Sequence, residues 1–217
     1  MSNKLVLSKD GSHTLFSEHI NEHYHSTHGA RVESEYIFIE HGMRRSDAEP
    51  LRILEVGFGT GLNAFLTSLE SKKNKRKVIY DAIEAYPVSE ALYSKLNFAE
   101  HTADQAEFQL MHQSEWEQNF DLHEFMNITK LEVKFEHWMP TENYDLIYFD
   151  AFSPDKQPQM WSEEVFQRLF DHLNPGGFMT TYCAKGIIKR RLKAIGFRVE
   201  CIPGPPKKRE MTLAFRN

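Results

Sequence analysis

Residues 51–63 read Leu-Arg-Ile-Leu-Glu-Val-Gly-Phe-Gly-Thr-Gly-Leu-Asn. A short apolar strand leads into Gly57, Gly59 and Gly61, and apolar residues then recur at the spacing of a helix face. This pattern predicts a turn from a strand into a helix, in which bare backbone can contact a ligand. An ordinary tight turn is the alternative, because glycine is used wherever the backbone needs a positive φ.

The glycine spacing indicates which ligand this turn suits. A dinucleotide site uses G-x-G-x-x-G, and Leu62 stands here at the position of the third glycine. Nicotinamide and flavin cofactors are therefore disfavoured. The order Glu-x-Gly-x-Gly-x-Gly resembles instead the first motif of the class I S-adenosylmethionine-dependent methyltransferases. The resemblance implies a cofactor site made of Glu55, Gly57, Phe58, Gly59, Thr60, Gly61 and Asn63.

A second acid follows the glycine turn at a suitable distance. Residues 78–84 are a strand candidate that ends at Glu84, 23 residues after Gly61. In Rossmann-like sites an acid roughly 20 residues beyond the turn accepts hydrogen bonds from ribose hydroxyls. We therefore expect Glu84 to bind the cofactor ribose, with a solvated carboxylate at the strand end as the alternative.

Composition limits the class of protein. The 217 residues are 41% hydrophobic, which is enough for one substantial core. The sequence has no run of about 18 apolar residues for a membrane span and no signal-peptide pattern at its start, so we expect a cytoplasmic protein. Cys183 and Cys201 lack a disulfide framework or zinc spacing and are expected to be reduced. Five histidines within residues 13–28 are interpreted as solvated loop residues rather than as a metal site.

Charge is divided unevenly along the chain. Residues 181–217 hold ten Lys or Arg against two acids, although the net charge of the whole chain is −5. A basic patch on one side of the molecule would suit an anionic polymer. A solvated helix face followed by a loop is the alternative.

Strand and helix candidates alternate, which predicts an α/β fold with a mostly parallel sheet. A C-terminal antiparallel hairpin is predicted because the last two strand candidates are joined by a short Pro-Gly-Pro-Pro link. The strand candidates are 51–56, 78–84, 131–135, 144–149, 178–183, 197–202 and 211–215, and the helix candidates include 88–97 and 162–172.

The remaining segments are less regular. Residues 1–49 are expected to form a small N-terminal extension, and residues 50–217 a single globular domain. Within the extension, residues 35–40 resemble a strand or a short edge element. The polar stretch 100–130 is ambiguous, with a lid as one interpretation.

Residues 144–161 supply the most specific motif. An apolar strand delivers Asp150 to its carboxyl end, where ligands of open α/β sheets bind. The run Phe-Asp-Ala-Phe-Ser-Pro-Asp-Lys-Gln-Pro-Gln-Met-Trp, with segments 32–38 and 207–211, resembles the methyltransferase domain of the tRNA 5-methylaminomethyl-2-thiouridine biosynthesis family. The resemblance covers nearly the whole chain. Bifunctional members continue into a flavin-dependent oxidase, so this sequence, which ends at Asn217, resembles the stand-alone form.

The family resemblance implies a Rossmann-like class I methyltransferase fold and a specific reaction. A methyl group would pass from S-adenosylmethionine to the exocyclic amine of 5-aminomethyl-(2-thio)uridine at the tRNA wobble position. The partner would be the tRNA anticodon loop, with Lys and Arg side chains on phosphates. A separately encoded oxidase or other aminomethyl-forming enzymes would act upstream.

Asp150 is the catalytic candidate that the resemblance provides. We expect its carboxylate to hold the substrate amine and align it with the methyl group, which is a proximity effect. A carboxylate with a pKa near its reference of about 3.9 is a feeble base unless burial raises that pKa. A second group or a solvent path is therefore expected to take the proton. The alternative role of Asp150 is a strand-end cap.

Other residues are expected to contact the cofactor or the substrate. Glu136 stands where the family has Gly-Asp for the adenine amino group, and Gln157 replaces a family asparagine. Phe152 and Pro154 shape the pocket or pack in the core. Trp161 stacks on a base or anchors the next helix. The expected substrate-binding residues are Phe152, Pro154, Lys156, Trp161, Lys207, Lys208 and Arg209.

Two other functions remain open at this point. A small-amine methyltransferase or an aminopropyltransferase of the same fold also places an Asp at a strand end near an amine. A degenerate cofactor fold that only binds is the third possibility, against which stand the intact Glu55, the glycines and Asp150.

Overall fold

The computed structural model describes residues 3–99 and 102–217. The chain alternates strands and helices after a small N-terminal sheet. Its elements, in chain order, are β1 (Asn3–Leu7), β2 (His13–Ser17), β3 (Glu22–His23), α1 (Ala30–Ser34), β4 (Leu51–Val56), α2 (Leu62–Asn74), β5 (Val78–Glu84), α3 (Glu90–Tyr93), α4 (Thr102–Gln113), β6 (Asn119–His123), β7 (Met126–Glu132), β8 (Tyr144–Phe149), α5 (Glu163–Asp171), β9 (Leu173–Thr181), α6 (Gly186–Ile195), β10 (Arg198–Pro203) and β11 (Glu210–Phe215).

A central sheet has the strand order β10-β11-β9-β8-β4-β5-β7-β6, and β1, β2 and β3 form a separate antiparallel sheet. The five inner strands, from β9 to β7, are parallel, whereas β6, β10 and β11 pair in the antiparallel sense. The predicted α/β class, the mostly parallel sheet and the C-terminal hairpin are therefore confirmed. From β4 the chain moves outward to β5 and β7, and it then returns to β8 on the other side, so a crevice forms where β4 and β8 end.

Helices cover both faces of the central sheet. On one face α2 and α4 contribute Phe65 and Phe108, whose rings meet edge to face at 5.3 Å. On the other face α5 and α6 contribute Phe166 and Leu192. Because both faces are covered, the inner strands are buried on each side, as expected of a parallel sheet. No helix within residues 3–99 and 102–217 has the length and apolar character to cross a membrane.

The prediction of a strand at residues 35–40 is wrong. Helix α1 continues directly into a π-helical turn over Glu35–Glu40. Ile37, Phe38 and Ile39 are all buried there, and the Thr180 hydroxyl donates to the Ile37 carbonyl at 3.2 Å. Branched and aromatic residues favour a strand by propensity, but this segment packs as a helix against α2 and the sheet.

Strand β7 runs from Met126 to Glu132, whereas the predicted strand is 131–135. The pattern misses its start because Lys130 interrupts the run of apolar residues. Lys130 is only 1% exposed. Its ammonium donates to the His112 carbonyl at 2.8 Å and lies 4.8 Å from the centroid of the Trp116 ring. Burial lowers the pKa of Lys130 to about 8. A buried charged side chain of this kind conceals a strand from pattern analysis.

Other predicted segments also differ from the structure. Strand β9 runs from Leu173 to Thr181, whereas the predicted strand is 178–183, and its pairing with β8 is irregular near its start. Helix α3 is a single short turn within the predicted 88–97. Of the segment interpreted as a lid, residues 100 and 101 lie outside the described residues. The described part, 102–130, forms α4, β6 and most of β7.

Trp161 lies in the core and not on a binding surface. Its side chain has no exposed area, and its Nε1–H donates to the Phe152 carbonyl at 2.8 Å. The ring meets Phe149 edge to face at 4.9 Å. These contacts agree with an anchor for the segment before α5 and leave no ring face free for a nucleic-acid base in this conformation.

Replacing Trp161 by Ala is expected to lower the free energy of unfolding by about 3–5 kcal/mol, through the cavity and the lost hydrogen bond. Urea denaturation followed by circular dichroism measures this change. Met139→Ala is the control, because Met139 is 78% exposed and its loss should change stability by no more than about 0.5 kcal/mol. Equal effects of the two substitutions would contradict the anchoring role.

Candidate active site

A cavity of about 390 Å³ opens where β4, β5 and β8 end. The loop after β4, Glu84 at the end of β5 and Asp150 after β8 form one side of it. Residues 22–27, which comprise β3 and the four residues after it, form another side. The cavity is thus built by the edge of the parallel sheet together with a segment from before the first strand of that sheet.

The glycines after β4 permit two close approaches. Gly57 has a φ of +96°, and a Cβ there would lie 2.8 Å from the Asp150 carbonyl oxygen. Gly61 has a φ of +74°, and a Cβ there would lie 2.8 Å from Nε2 of His112. Any other residue would push the loop away from β8 or from α4. The glycines therefore let bare backbone line the cavity at the start of α2.

Glu84 is joined to this loop by its carboxylate. The Gly59 N–H donates to Oε2 at 2.9 Å, and the Tyr86 N–H donates to Oε1 at 2.8 Å. Burial raises the pKa of Glu84, and these backbone donors oppose that rise. Each carboxylate oxygen still has a lone pair for a further donor. A glycine cradle beside an acceptor of two hydroxyls fits the methionine and ribose parts of S-adenosylmethionine.

Asn63 connects two acids that end neighbouring strands. Its side-chain amide donates to Glu55 Oε1 at 3.0 Å and to Asp150 Oδ2 at 2.9 Å. Glu55 is fully buried, and this burial raises its pKa well above the usual range. The neutral form of Glu55 is therefore favoured, which reduces its repulsion of the Asp150 charge.

Asp150 is a carboxylate with an altered affinity for protons. Its backbone N–H donates to the Val56 carbonyl at 3.0 Å, which continues the β4–β8 pairing beyond the end of the strand. Burial raises the pKa of Asp150 to about 7. The Asn63 amide lowers it, the Glu33 charge raises it and the Lys208 charge lowers it. Near neutral pH this group can both accept and release a proton.

Two histidines hold Thr60 of the glycine loop from different sides. Nε2 of His25 lies 3.3 Å from the Thr60 hydroxyl, and Nε2 of His112 lies 3.1 Å from the Thr60 carbonyl. Burial lowers the pKa of His25 to about 4 and that of His112 to about 3, so both are neutral at pH 7. The interpretation of His25 as a solvated loop residue is therefore wrong. Within the described residues, no group of three His, Cys, Asp or Glu side chains is arranged to hold a metal ion.

Aromatic residues form the wall beside Asp150. The rings of Tyr24 and Phe152 meet edge to face at 5.0 Å, and both line the cavity. The Tyr182 hydroxyl donates to the Ala151 carbonyl at 2.9 Å. Glu22 accepts hydrogen bonds from the Ser153 N–H and hydroxyl, which ties the N-terminal segment to the loop after β8. Sequence reasoning did not identify Glu22, Tyr24 or Tyr182, because no periodicity or motif spacing marks them.

The structure brings together most of the predicted site residues. Glu55 and Gly61 do not line the cavity, but Glu55 is hydrogen-bonded to Asn63 and Gly61 to Phe58, both of which do. Trp161 is in the core. The predicted residues that line the cavity are Gly57, Phe58, Gly59, Thr60, Asn63, Glu84, Asp150, Phe152 and Lys208, and those outside its lining are Pro154, Lys156, Glu136, Lys207 and Arg209.

Glu136 does not face the cavity. It lies on a short 3₁₀ turn over Phe135–His137, its side chain is 63% exposed, and its carboxylate is 3.6 Å from His137. The neighbouring Phe135 lines the cavity instead. The turn thus presents an apolar ring where the sequence predicted an acid.

Several basic residues of the C-terminal region have partners within the protein. Lys185 pairs with Asp155, and Lys189 pairs with Glu210 at 3.2 Å. Lys207 and Arg209, in the loop between β10 and β11, are exposed to solvent. The charge available to an anionic partner is therefore smaller than the sequence count indicates.

Glu84→Gln is expected to weaken binding of S-adenosylmethionine by roughly tenfold or more, since a charged acceptor of hydrogen bonds becomes neutral. Isothermal titration calorimetry measures the change. The matched control is Glu132→Gln, because Glu132 is exposed and lies opposite Glu84 in the register of β5 and β7. If both substitutions weakened binding equally, the loss of a negative charge near the site, and not the loss of a contact with the ribose, would be responsible.

The known proteins that this chain resembles include two bifunctional tRNA 5-methylaminomethyl-2-thiouridine biosynthesis proteins named MnmC. The protein from Cupriavidus metallidurans is 29% identical over 225 residues, covering 96% of this chain and 33% of the relative. The protein from Leptospira borgpetersenii (strain JB197) is 30% identical over 228 residues, covering 95% and 34%. This chain therefore spans about a third of the length of the curated relatives that it matches.

Solved structures and a family model agree with this comparison. MnmC2 from Aquifex aeolicus has a TM-score of 0.81 and 26% identity, covering 98% of this chain and 70% of that chain. Spermidine synthase from Thermotoga maritima has a TM-score of 0.60 and 14% identity, and the match covers 99% of this chain and 69% of that chain. This match shows a similarity of fold. The model of an S-adenosyl-L-methionine-dependent methyltransferase family matches residues 93–217, more than half of the chain. With its glycine loop and its cavity, the chain belongs to this methyltransferase family, and its cofactor is S-adenosylmethionine.

Proposed function

We propose that this chain methylates the primary amine of 5-aminomethyl-(2-thio)uridine at the wobble position of tRNA. The observation that carries the proposal is Asp150, an enclosed carboxylate with a pKa of about 7 in the cavity that the glycine loop also lines. The names of the similar MnmC proteins support tRNA as the substrate. In this proposal residues 50–217 are the methyltransferase domain, and residues 1–49 are an extension that completes its cavity.

The cofactor is held by the loop after β4 and by Glu84. The backbone of Gly57 and Gly59 contacts the methionine part, and Glu84 accepts the ribose hydroxyls. Phe135, in place of Glu136, offers an apolar surface to the adenine. When bound, S-adenosylmethionine supplies a methyl group on a positively charged sulfur, open to attack by a neutral amine.

Asp150 prepares the substrate amine. An alkyl amine is largely protonated at pH 7, as the lysine reference pKa of about 10.4 indicates, and only its neutral form has a lone pair to donate. An ordinary carboxylate is too weak a base, but the pKa of about 7 that burial gives Asp150 lies near the operating pH. Asp150 therefore accepts a hydrogen bond from the ammonium, aligns its nitrogen and takes one proton, which leaves to solvent through the cavity mouth.

Residues around Asp150 recognise the nucleoside and the RNA. Tyr24 and Phe152 together form an aromatic surface for the uracil, since an anticodon loop presents an unstacked base to aromatic side chains. Exposed Lys207 and Arg209 contact phosphates, which gives affinity without sequence information. The protein acts in the cytoplasm, after separately encoded enzymes have made the aminomethyl group.

Labelled S-adenosylmethionine and tRNA that carries the aminomethyl wobble uridine test this function. Wild type is expected to form methylaminomethyluridine, identified by mass after digestion. Asp150→Asn should lower kcat/KM by about a hundredfold or more, while cofactor binding measured by calorimetry persists. Asp155→Asn is the control, because Asp155 lies in the same loop with its side chain 75% exposed. No label in tRNA, despite cofactor binding, would overturn the proposal, and label on free polyamines or small amines would identify the substrate instead.

The pH dependence of kcat/KM gives a second test. The carboxylate of Asp150 is the active form, so kcat/KM should be low below pH 7 and rise through pH 7 as the group loses its proton. The Asn63 amide lowers the pKa of Asp150, so Asn63→Ala should shift this inflection to higher pH. Ionisation of the free amine would place an inflection near pH 10 instead. A profile without an inflection between pH 6 and 8 would contradict the role of Asp150 as the base.

A further inference from the structure

An ion pair inside the cavity joins the two ends of the chain. Glu33 belongs to α1, and Lys208 lies in the loop between β10 and β11. Oε1 of Glu33 pairs with the ammonium of Lys208, and both residues line the cavity. The other oxygen of Glu33 accepts the Ser26 N–H at 2.8 Å, which fixes the carboxylate. The side chain of Glu33 is 11% exposed and that of Lys208 is 33% exposed.

The surroundings of this ammonium suit any small cation on an alkyl chain. Nζ of Lys208 lies 4.3 Å from the centroid of the Tyr182 ring, so the charge faces both a carboxylate and an aromatic surface. The Tyr182 hydroxyl is bonded to the carbonyl of Ala151, the residue after Asp150. The charges of Glu33 and Lys208 both act on Asp150. The ammonium therefore lies in the cavity that Asp150 also lines, near enough for its charge to act on that carboxylate.

The charges that line the cavity are unbalanced. Glu22, Glu33, Glu84 and Asp150 are there, and Lys208 is the one Lys or Arg among the described lining residues. A phosphate-binding lysine would be expected to face solvent, as Lys207 does. Lys208 instead turns its charge inward to Glu33.

We propose that Lys208 occupies the substrate-amine subsite in the free enzyme, and that the incoming alkylammonium displaces it and pairs with Glu33 beside Asp150. Glu33 is then a substrate-binding residue, and Lys208 is an internal competitor. The inference rests on the proposed function, because it assigns the amine subsite of the same reaction. The substrate class is a primary alkylammonium carried by a nucleoside.

The exchange has a physical reason and a consequence for selectivity. Removing one partner of an enclosed ion pair is costly, because the other charge is left without compensation. Exchanging one ammonium for another keeps Glu33 paired throughout. A uridine with an uncharged or anionic substituent cannot replace Lys208 in this way, so the pair excludes such nucleosides.

Steady-state kinetics with the aminomethyl tRNA test the exchange. Lys208→Met removes the competitor and should lower KM several-fold, whereas Lys207→Met, a phosphate contact, should raise KM with a smaller salt dependence. Glu33→Gln should raise KM roughly tenfold with a smaller change in kcat. A rise in KM for Lys208→Met that matches Lys207→Met would overturn the proposal and assign Lys208 to a phosphate.

Binding of ethylammonium chloride gives a readout that does not depend on methyl transfer. Thermal shift and calorimetry, with sodium chloride at equal ionic strength as the control, should give tighter binding for Lys208→Met than for wild type and a loss for Glu33→Gln. Calorimetry with S-adenosylmethionine verifies that each variant is folded. If wild type does not methylate tRNA, the proposed function fails, and the binding of ethylammonium alone then tests the amine subsite. Loss of that binding in Glu33→Gln supports the subsite, and equal binding in all three proteins overturns it.

Discussion

The side-chain amide of Asn63 holds the catalytic candidate and the cofactor loop in one arrangement. It donates to Glu55 at 3.0 Å and to Asp150 at 2.9 Å, and it lies in the first turn of α2. Two carboxylates at the ends of neighbouring parallel strands would repel each other if both were ionised. The amide offers each a donor, and burial favours the neutral form of Glu55. The positions of β4, α2 and β8 are thereby linked to the position of the Asp150 carboxylate.

The enclosure that raises the pKa of Asp150 also determines the charge of its surroundings. The same burial keeps His25 and His112 neutral, so neither adds a positive charge beside the glycine loop. The acids that line the cavity then attract cations. Both reactants of the proposed transfer arrive as cations, one as a sulfonium and the other as an ammonium. The sulfonium loses its charge in the transfer itself, whereas the ammonium must lose a proton before it, and a carboxylate with a pKa of about 7 is suited to that step.

The part of the site that could be predicted lies at strand ends. Gly57, Glu84 and Asp150 each end or follow a strand with a clear apolar pattern, and the carboxyl ends of parallel strands meet at one edge. Tyr24 and Glu33 could not be predicted, because they reach the cavity through packing of segments that are far apart in the sequence. Local propensity even gave the wrong element for residues 35–40, where contacts with α2 and β9 favour a helix.

Residues at the strand ends and residues from segments far apart in the sequence have different roles in the proposed site. The strand ends supply the glycine loop, Glu84 and Asp150, and a fold of this kind does not by itself specify a reaction. The choice of substrate must then come from segments outside the parallel strands. Glu33 from α1 and Lys208 from the last hairpin meet beside Asp150, so the pair can form only when the N-terminal segment and the hairpin are both in place. In the proposed reaction, selection of the alkylammonium thus depends on segments from both ends of the chain, whereas the glycine loop and Asp150 come from the edge of the parallel sheet.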